Sequence, residues 1–226
     1  MATLQGVYAD LVGQEHVVET LIKAVQSTRT GEETQEMTHA WVFTGPPGSG
    51  RSSAAVAFAQ ALVCTNNGCG TCNECKSAAN GAHPDVEIIR TEGLSIKVEE
   101  VRELLTRVAW APAMGGWRVV VMEDADRLTE SAANALLKAI EEPGTRTVWL
   151  LCAPTLHDLL PTIRSRCREL RLGPLEPSDM AQALAATGVA VDASGNVYVA
   201  DSGNHRIRKI TVNGSGVATG VTTAAG

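Results

Sequence analysis

Four cysteines, Cys64, Cys69, Cys72 and Cys75, stand in the pattern C-x4-C-x2-C-x2-C inside a short Gly/Asn-rich stretch. Thiolates at this spacing can close a tetrahedral site around zinc, and a site filled by four protein ligands leaves no position open for a substrate. The expected role is structural. A pair of disulfides is the other use of such residues, and a reducing compartment disfavours it. Cys152 and Cys167 fall in apolar, strand-like runs, where a free cysteine behaves as a small hydrophobe.

A second constellation is the run from Gly45 to Ser52, Gly-Pro-Pro-Gly-Ser-Gly-Arg-Ser, which follows an apolar run and opens a helical pattern. In that context a glycine-rich loop turns its backbone N–H groups toward a phosphate. Gly45, Gly48, Gly50 and Ser52 fit the pattern. Arg51 does not, because it stands where a lysine ammonium normally reaches between the β- and γ-phosphates, and a planar guanidinium is larger and differently shaped. Two further positions depart from the phosphoryl-transfer arrangement. Glu123-Asp124, after the apolar run Val119 to Met122, reverses the usual order of a carboxylate that positions Mg²⁺ and one that orients water. A displacement of about 1 Å at such groups can cost on the order of 100-fold in rate. The run Leu151-Cys152-Ala153-Pro154 supplies no polar side chain to sense a γ-phosphate, although Thr155 is next. A degenerate nucleotide site without ATP hydrolysis is the expectation, and the loop serves equally well as a tight structural turn.

These residues need a scaffold. Val17, Val18, Leu21, Ile22 and Val25 repeat at helical spacing over Gln14 to Ser27, and a polar loop follows to Glu36. Strands are expected near Ala40–Thr44, Val86–Arg90, Arg118–Glu123, Thr147–Cys152 and Arg168–Leu172, with helices near Gly50–Val63, Val98–Val108 and Thr129–Glu142. Thr129 is a ready N-cap, and Pro143-Gly144 stops that helix. Apolar strands alternating with helices predict an α/β fold, a five-stranded parallel sheet covered on both faces, with ligands at the carboxyl ends of the strands.

The 226 residues carry 19 Lys+Arg and 25 Asp+Glu, a net charge of -6, which argues against an autonomous nucleic-acid binder with a broad basic surface. No apolar run approaches the roughly 20 residues of a spanning helix, and Met1 to Asp10 lacks the basic and apolar regions of a signal peptide, so a cytoplasmic chain is expected. Composition changes near residue 187. The segment 188–226 has only Asp192, Asp201, Arg206, Arg208 and Lys209 as charged residues, and it holds 7 of the 21 glycines. Short β segments are expected at Val189–Asp192, Val197–Ala200 and Arg206–Thr211, with Ser-Gly-Asn turns between them.

Several motifs together resemble the bacterial clamp-loader branch of the AAA+ proteins. They are Asn134 to Pro143 (NALLKAIEEP), Ser165-Arg166-Cys167, His39 to Phe43, Gly81-Ala82-His83-Pro84-Asp85, and the cysteines placed between the phosphate loop and the second strand. The resemblance covers about residues 4 to 177. It implies the P-loop, RecA-like AAA+ fold with a zinc-binding insertion, and, through Arg51 and Glu123-Asp124, the delta-prime type rather than a motor. Such a subunit is a non-hydrolysing stator in the ring that opens the sliding clamp of DNA polymerase III. The resemblance further implies that Arg166 is an arginine finger presented to ATP in a neighbouring gamma/tau motor subunit. Gamma/tau motor subunits, a delta subunit, the clamp and, within the complex, primed DNA are the implied partners, with no membrane. A gamma/tau-like motor is the alternative, decided by whether Arg51 permits ATP binding. Ser95 and Lys97 at a helix start could meet a DNA phosphate, though Glu99, Glu100 and Glu103 beside them fit an ordinary solvated helix better. His16, His83, His157 and His205 are expected to be surface or capping residues.

From Gly188 the sequence resembles one NHL repeat, a propeller blade that needs several neighbours to complete a core. The expected organisation is therefore an AAA+ domain over 1–177 with its zinc module at 64–75, a junction over 178–187, and an NHL-like β tail over 188–226. The lid and collar of the family do not follow residue 177, so a chimeric or truncated chain with a junction near Thr187, or an NHL scaffold without clamp-loading activity, stands beside the first reading.

Overall fold

The computed structural model describes residues 5–30, 36–91, 93–114, 116–174, 189–191, 197–201, 206–212 and 218–225. The chain divides into two compact units, Met1–Pro174 and Leu175–Gly226.

The first unit is built on β1 (Ala40–Thr44), β2 (Val86–Ile89), β3 (Arg118–Met122), β4 (Thr147–Ala153) and β5 (Arg168–Arg171), which pair in the order β2-β3-β4-β1-β5. Every pairing is parallel. β1 and β4 are buried at every residue, the condition of central strands covered on both faces. Because successive side chains point to opposite faces, each strand feeds two cores. Trp41, Phe43, Val119, Val121, Leu150 and Cys152 meet α1 (Glu15–Thr30) and α2 (Arg51–Val63) on one side. Val42, Val120, Met122, Trp149 and Leu151 meet α4 (Val98–Val108) and α5 (Glu130–Glu141) on the other, and α3 (Asn73–Ala79) lies between α2 and β2 in the chain. Trp41 and Phe58 make an edge-to-face contact with centroids 5.4 Å apart, the arrangement that aromatic quadrupoles favour.

The expected strands and helices form with shifts of a few residues at their ends. Thr129 caps α5 by accepting from the Ala132 N–H. α1 continues to Thr30, beyond the expected stop at Ser27. Two short helices were not foreseen, α3 and α6 (Pro161–Arg164). Cys167 lies in a bend just before β5 rather than in a strand, and it is half-buried.

The outer face of α4 carries Glu99, Glu100 and Glu103 in solvent while Val101, Leu104 and Val108 are buried, as in an ordinary solvated helix. Its first turn is closed by the Lys97 N–H donating to Glu100 Oε1 at 3.1 Å. No described helix is long and apolar enough to cross a membrane.

The second unit contains an antiparallel sheet of β6 (Val189–Val191), β7 (Val197–Asp201), β8 (Arg206–Val212) and β9 (Ala218–Ala225), paired in that order. β9 was not foreseen, since alanine, glycine and threonine give little periodic signal. Both Ser-Gly-Asn turns, His205 and Thr187 lie outside the described residues.

Candidate functional site: a degenerate phosphate loop and a four-cysteine cluster

The phosphate loop leaves β1 at its carboxyl end and enters α2, with Gly48 and Gly50 in the left-handed region at φ +82° and +87°. Gly45 must be glycine, because a Cβ there would lie 2.6 Å from Ser49 Oγ and 2.7 Å from the Leu172 carbonyl oxygen. The loop is pinned by the Gly45 N–H to Pro154 O at 3.1 Å and by the Ser49 N–H to Pro46 O at 3.1 Å. Ser49 Oγ is buried without a partner. A cleft of about 620 Å³ opens beside the loop, lined among others by Pro46, Thr155, His157, Glu169 and Arg171.

The three departures read from sequence acquire geometry here. The Arg51 guanidinium folds back and donates to the carbonyl of Gly45, the first residue of its own loop. Glu123, just past β3, accepts from Arg90 Nε at 3.1 Å, and Asp124 lies 3.9 Å from Arg127 Nε. The carboxylates are thus paired with arginines of this chain. Position 51 thus carries a planar guanidinium bonded to its own loop where a phosphate loop normally carries a compact lysine ammonium. Ser52 heads α2 and interacts with the buried Cys152 thiol, which burial, with the charge of Glu123 next, pushes up to about 12. Burial alone pushes the Cys167 thiol up to about 12 as well. Both are inert at neutral pH.

Arg166 stands apart from that cleft, exposed after α6. It reaches Glu141 Oε1 at 2.6 Å, the Thr162 carbonyl at 2.8 Å and Ser165 Oγ at 3.1 Å. Its neighbours are engaged elsewhere: Arg164 meets His157 Nδ1 at 2.8 Å, and Arg168 lies over the Trp41 ring at 4.9 Å. Sequence reasoning missed Arg90 and Glu141, because nothing in their local pattern announces a partner so far along the chain.

The cysteine cluster is compact. The ligand atoms of Cys64, Cys69, Cys72 and Cys75 all lie within 4.8 Å of one another, with Cys64–Cys72 at 3.6 Å and Cys64–Cys69 at 3.8 Å. A tetrahedron with Zn–S bonds of about 2.3 Å has edges of roughly 3.8 Å, whereas a disulfide needs about 2.05 Å. All four thiols are free. Backbone N–H groups already point at sulfur: Asn66 to Cys64 at 3.3 Å, Gly70 to Cys75 at 3.4 Å and Cys75 to Cys72 at 3.4 Å. The Thr71 hydroxyl, with backbone donors behind it, pulls the Cys69 thiol down to about 6, the direction a metal ligand needs. Burial pushes Cys75 up instead. The donor set fits zinc: the insertion gathers four thiols that could hold the ion in a tetrahedral site.

Of the histidines, His16 meets the Arg171 carbonyl at 3.0 Å. His83, expected as a surface or capping residue, is buried at 5% exposed and takes the capping role: its Nδ1 accepts from the Asp85 N–H at 3.0 Å. Asp85, 1% exposed, accepts from the Ala113 and Met114 N–H groups at 2.6 and 2.9 Å and pairs with Arg118 at 3.2 Å.

The family model described as "DNA polymerase III, delta subunit" matches residues 14–176. The chain belongs to this family. An NHL-repeat model matches residues 186–210. The DNA polymerase III subunit gamma/tau of Mycobacterium bovis is 34% identical over 194 residues, covering 82% of this chain and 32% of that protein. The DNA polymerase III subunit delta' of Bacillus subtilis is 32% identical over 167 residues, 73% of this chain and 49% of its own length. The chain therefore spans less than two thirds of the curated relatives it matches. Among solved structures, a gamma-subunit-related protein from Thermotoga maritima superposes with a TM-score of 0.52 at 23% identity, covering 75% of this chain and 49% of that one. This likeness establishes the fold, the P-loop AAA+ sheet, for the polymerase III family member described here.

Proposed function

We propose that the chain acts as a non-hydrolysing, delta-prime-like subunit of a bacterial DNA polymerase III clamp loader, with Arg166 supplied in trans to ATP on a neighbouring gamma/tau-type motor. The observation that carries this reading is the division of labour among the arginines. Arg51 is folded onto its own loop and Arg90 is paired with Glu123, while Arg166 stands exposed outside the cleft with its guanidinium oriented by Glu141, Thr162 and Ser165. Such a guanidinium can stabilise charge on a phosphoryl group bound by another subunit. The names of the relatives, delta' and gamma/tau, support a place among clamp-loader subunits. A delta subunit, the sliding clamp and primed DNA are the further partners of this reading, in the cytoplasm, with zinc in a structural role.

The test is ATP turnover in a mixture with a gamma/tau motor and delta. The chain alone is expected to show no magnesium-dependent hydrolysis. Arg166→Ala is expected to lower turnover of the mixture by about 10³-fold, within the range assigned to arginine fingers. Turnover by the chain alone would favour the motor reading, for which the longer match to the Mycobacterium gamma/tau protein speaks. Failure to join the motor subunits would favour a chimeric chain, with the AAA+ domain over 1–177, a junction over 178–187 and an NHL-like tail over 188–226.

A further inference from the structure

The metal module and the phosphate loop are joined by two pieces of chain. α2 is one: its N-cap Gly50 belongs to the phosphate loop, and its C-cap is Cys64, the first metal ligand. The other is the segment from Gly6 to Leu11, and its packing against the cysteine turns is unusually close. The Val7 N–H donates to the Gly68 carbonyl at 3.0 Å. Gly6 sits at φ +62°, where a Cβ would lie 2.1 Å from the Gly68 oxygen; Gly68 sits at φ +89°, where a Cβ would lie 2.6 Å from Val7 Cγ2. Neither position accepts a side chain without separating the two strands of chain.

From this anchor the segment runs to the other end of α2. Tyr8 is 3% exposed within the core, and its hydroxyl is buried without a partner. Leu11, also 3% exposed, brings Cδ2 to within 3.8 Å of where a Cβ on Gly50 would be, over the cap of α2. The Leu11 N–H bonds the Tyr8 carbonyl at 3.1 Å, and the Gln14 side chain closes the run with paired hydrogen bonds to Gly173 at 3.0 and 3.1 Å.

We propose that the segment Gly6–Leu11 is a strap through which metal occupancy at the four cysteines sets the order of the phosphate loop. Bound metal crosslinks Cys64, Cys69, Cys72 and Cys75 and so holds the Gly68 carbonyl where Val7 needs it. The strap in turn seats Leu11 on Gly50. Without metal the turn between Cys64 and Cys69 loses its crosslinks, the strap loses its anchor, and the loop opens more often. The device is independent of clamp loading, because it rests on this chain alone.

Hydrogen–deuterium exchange on the full chain, zinc-loaded and after chelation under reducing conditions, tests it. Loop amides whose bonds report order are those of Gly45, Ser49 and Ala54. Chelation is expected to speed exchange about tenfold in peptides covering 5–14 and 45–54, with β3 and β4 unchanged. Gly6→Ala is expected to reproduce both increases with metal still bound, the intact cluster being verified by the thiolate-to-Co²⁺ charge-transfer band. Leu11→Ala, which leaves the cysteine side untouched, should open only the loop and remove its response to chelation. Loop exchange that ignores chelation, zinc-loaded variants that exchange like the parent, or β3 and β4 opening in step with the loop would each overturn the strap.

Discussion

At the scale of single residues, charge and burial decide what each candidate group can do. The cysteine cluster holds its sulfurs at tetrahedron-edge distances before any metal is considered, so Cys69→Ser should lower zinc content, read by atomic absorption, by at least about tenfold. His83 gives a pH dependence whose sign follows from its burial. Burial lowers its pKa, against the opposing pull of Asp85 and Glu74, so the native state binds this proton less readily than the unfolded chain does. The stability it contributes is complete above the unfolded value near 6.5 and is lost as pH falls through the lower folded value. Denaturant titrations should therefore show stability dropping from about pH 7 toward pH 5, and His83→Gln should flatten that drop. Cysteine type and spacing disclosed the four-thiol cluster. The burial of His83 and the pairing of Glu123 with Arg90 did not show in sequence, because both depend on elements that only folding brings together.

Among the elements, caps and loop anchors carry more than their size suggests. Thr129 accepts from the Ala132 N–H and starts α5, the helix whose far end places Glu141 beside Arg166. Thr129→Ala should cost about 1 kcal/mol in chemical denaturation. Asp85 is the anchor of the loop between α4 and β3: it holds two backbone N–H groups there and the buried end of Arg118. Asp85→Ala leaves both N–H groups unbonded and the Arg118 guanidinium without its counter-charge, holding only the Ala111 carbonyl at 3.2 Å, and a loss of about 3 kcal/mol is expected. The periodic helices and the continuous apolar strands were legible because each repeats a signal over many residues. α3 and α6 were not, since a helix of one or two turns has too few positions to show a period, and the Cys72 sulfur accepting from the Cys75 N–H and a proline at the first turn fix them instead.

For the whole molecule, the described residues that form the buried clusters of the first unit run from Tyr8 to Leu172. A chain ending at Pro174 should therefore keep its cooperative unfolding transition and its zinc, which calorimetry and metal analysis can check; loss of either would mean that the second unit supports the first. The sequence by itself determined the two kinds of sheet, because a chain of alternating helices and fully apolar strands can bury them only in a covered parallel sheet, while short strands between Ser-Gly-Asn turns pair with their neighbours. It also determined the phosphate loop and the four clustered cysteines, since those features are written in residue types at short spacing. Tertiary structure alone decided the rest: Arg51 turned onto Gly45, Arg90 set against Glu123, Arg166 held by Glu141, and Gly6 locked against Gly68. Each of these depends on where two side chains or two turns of backbone meet in space, and such meetings between distant residues follow from sheet order and packing rather than from any local pattern.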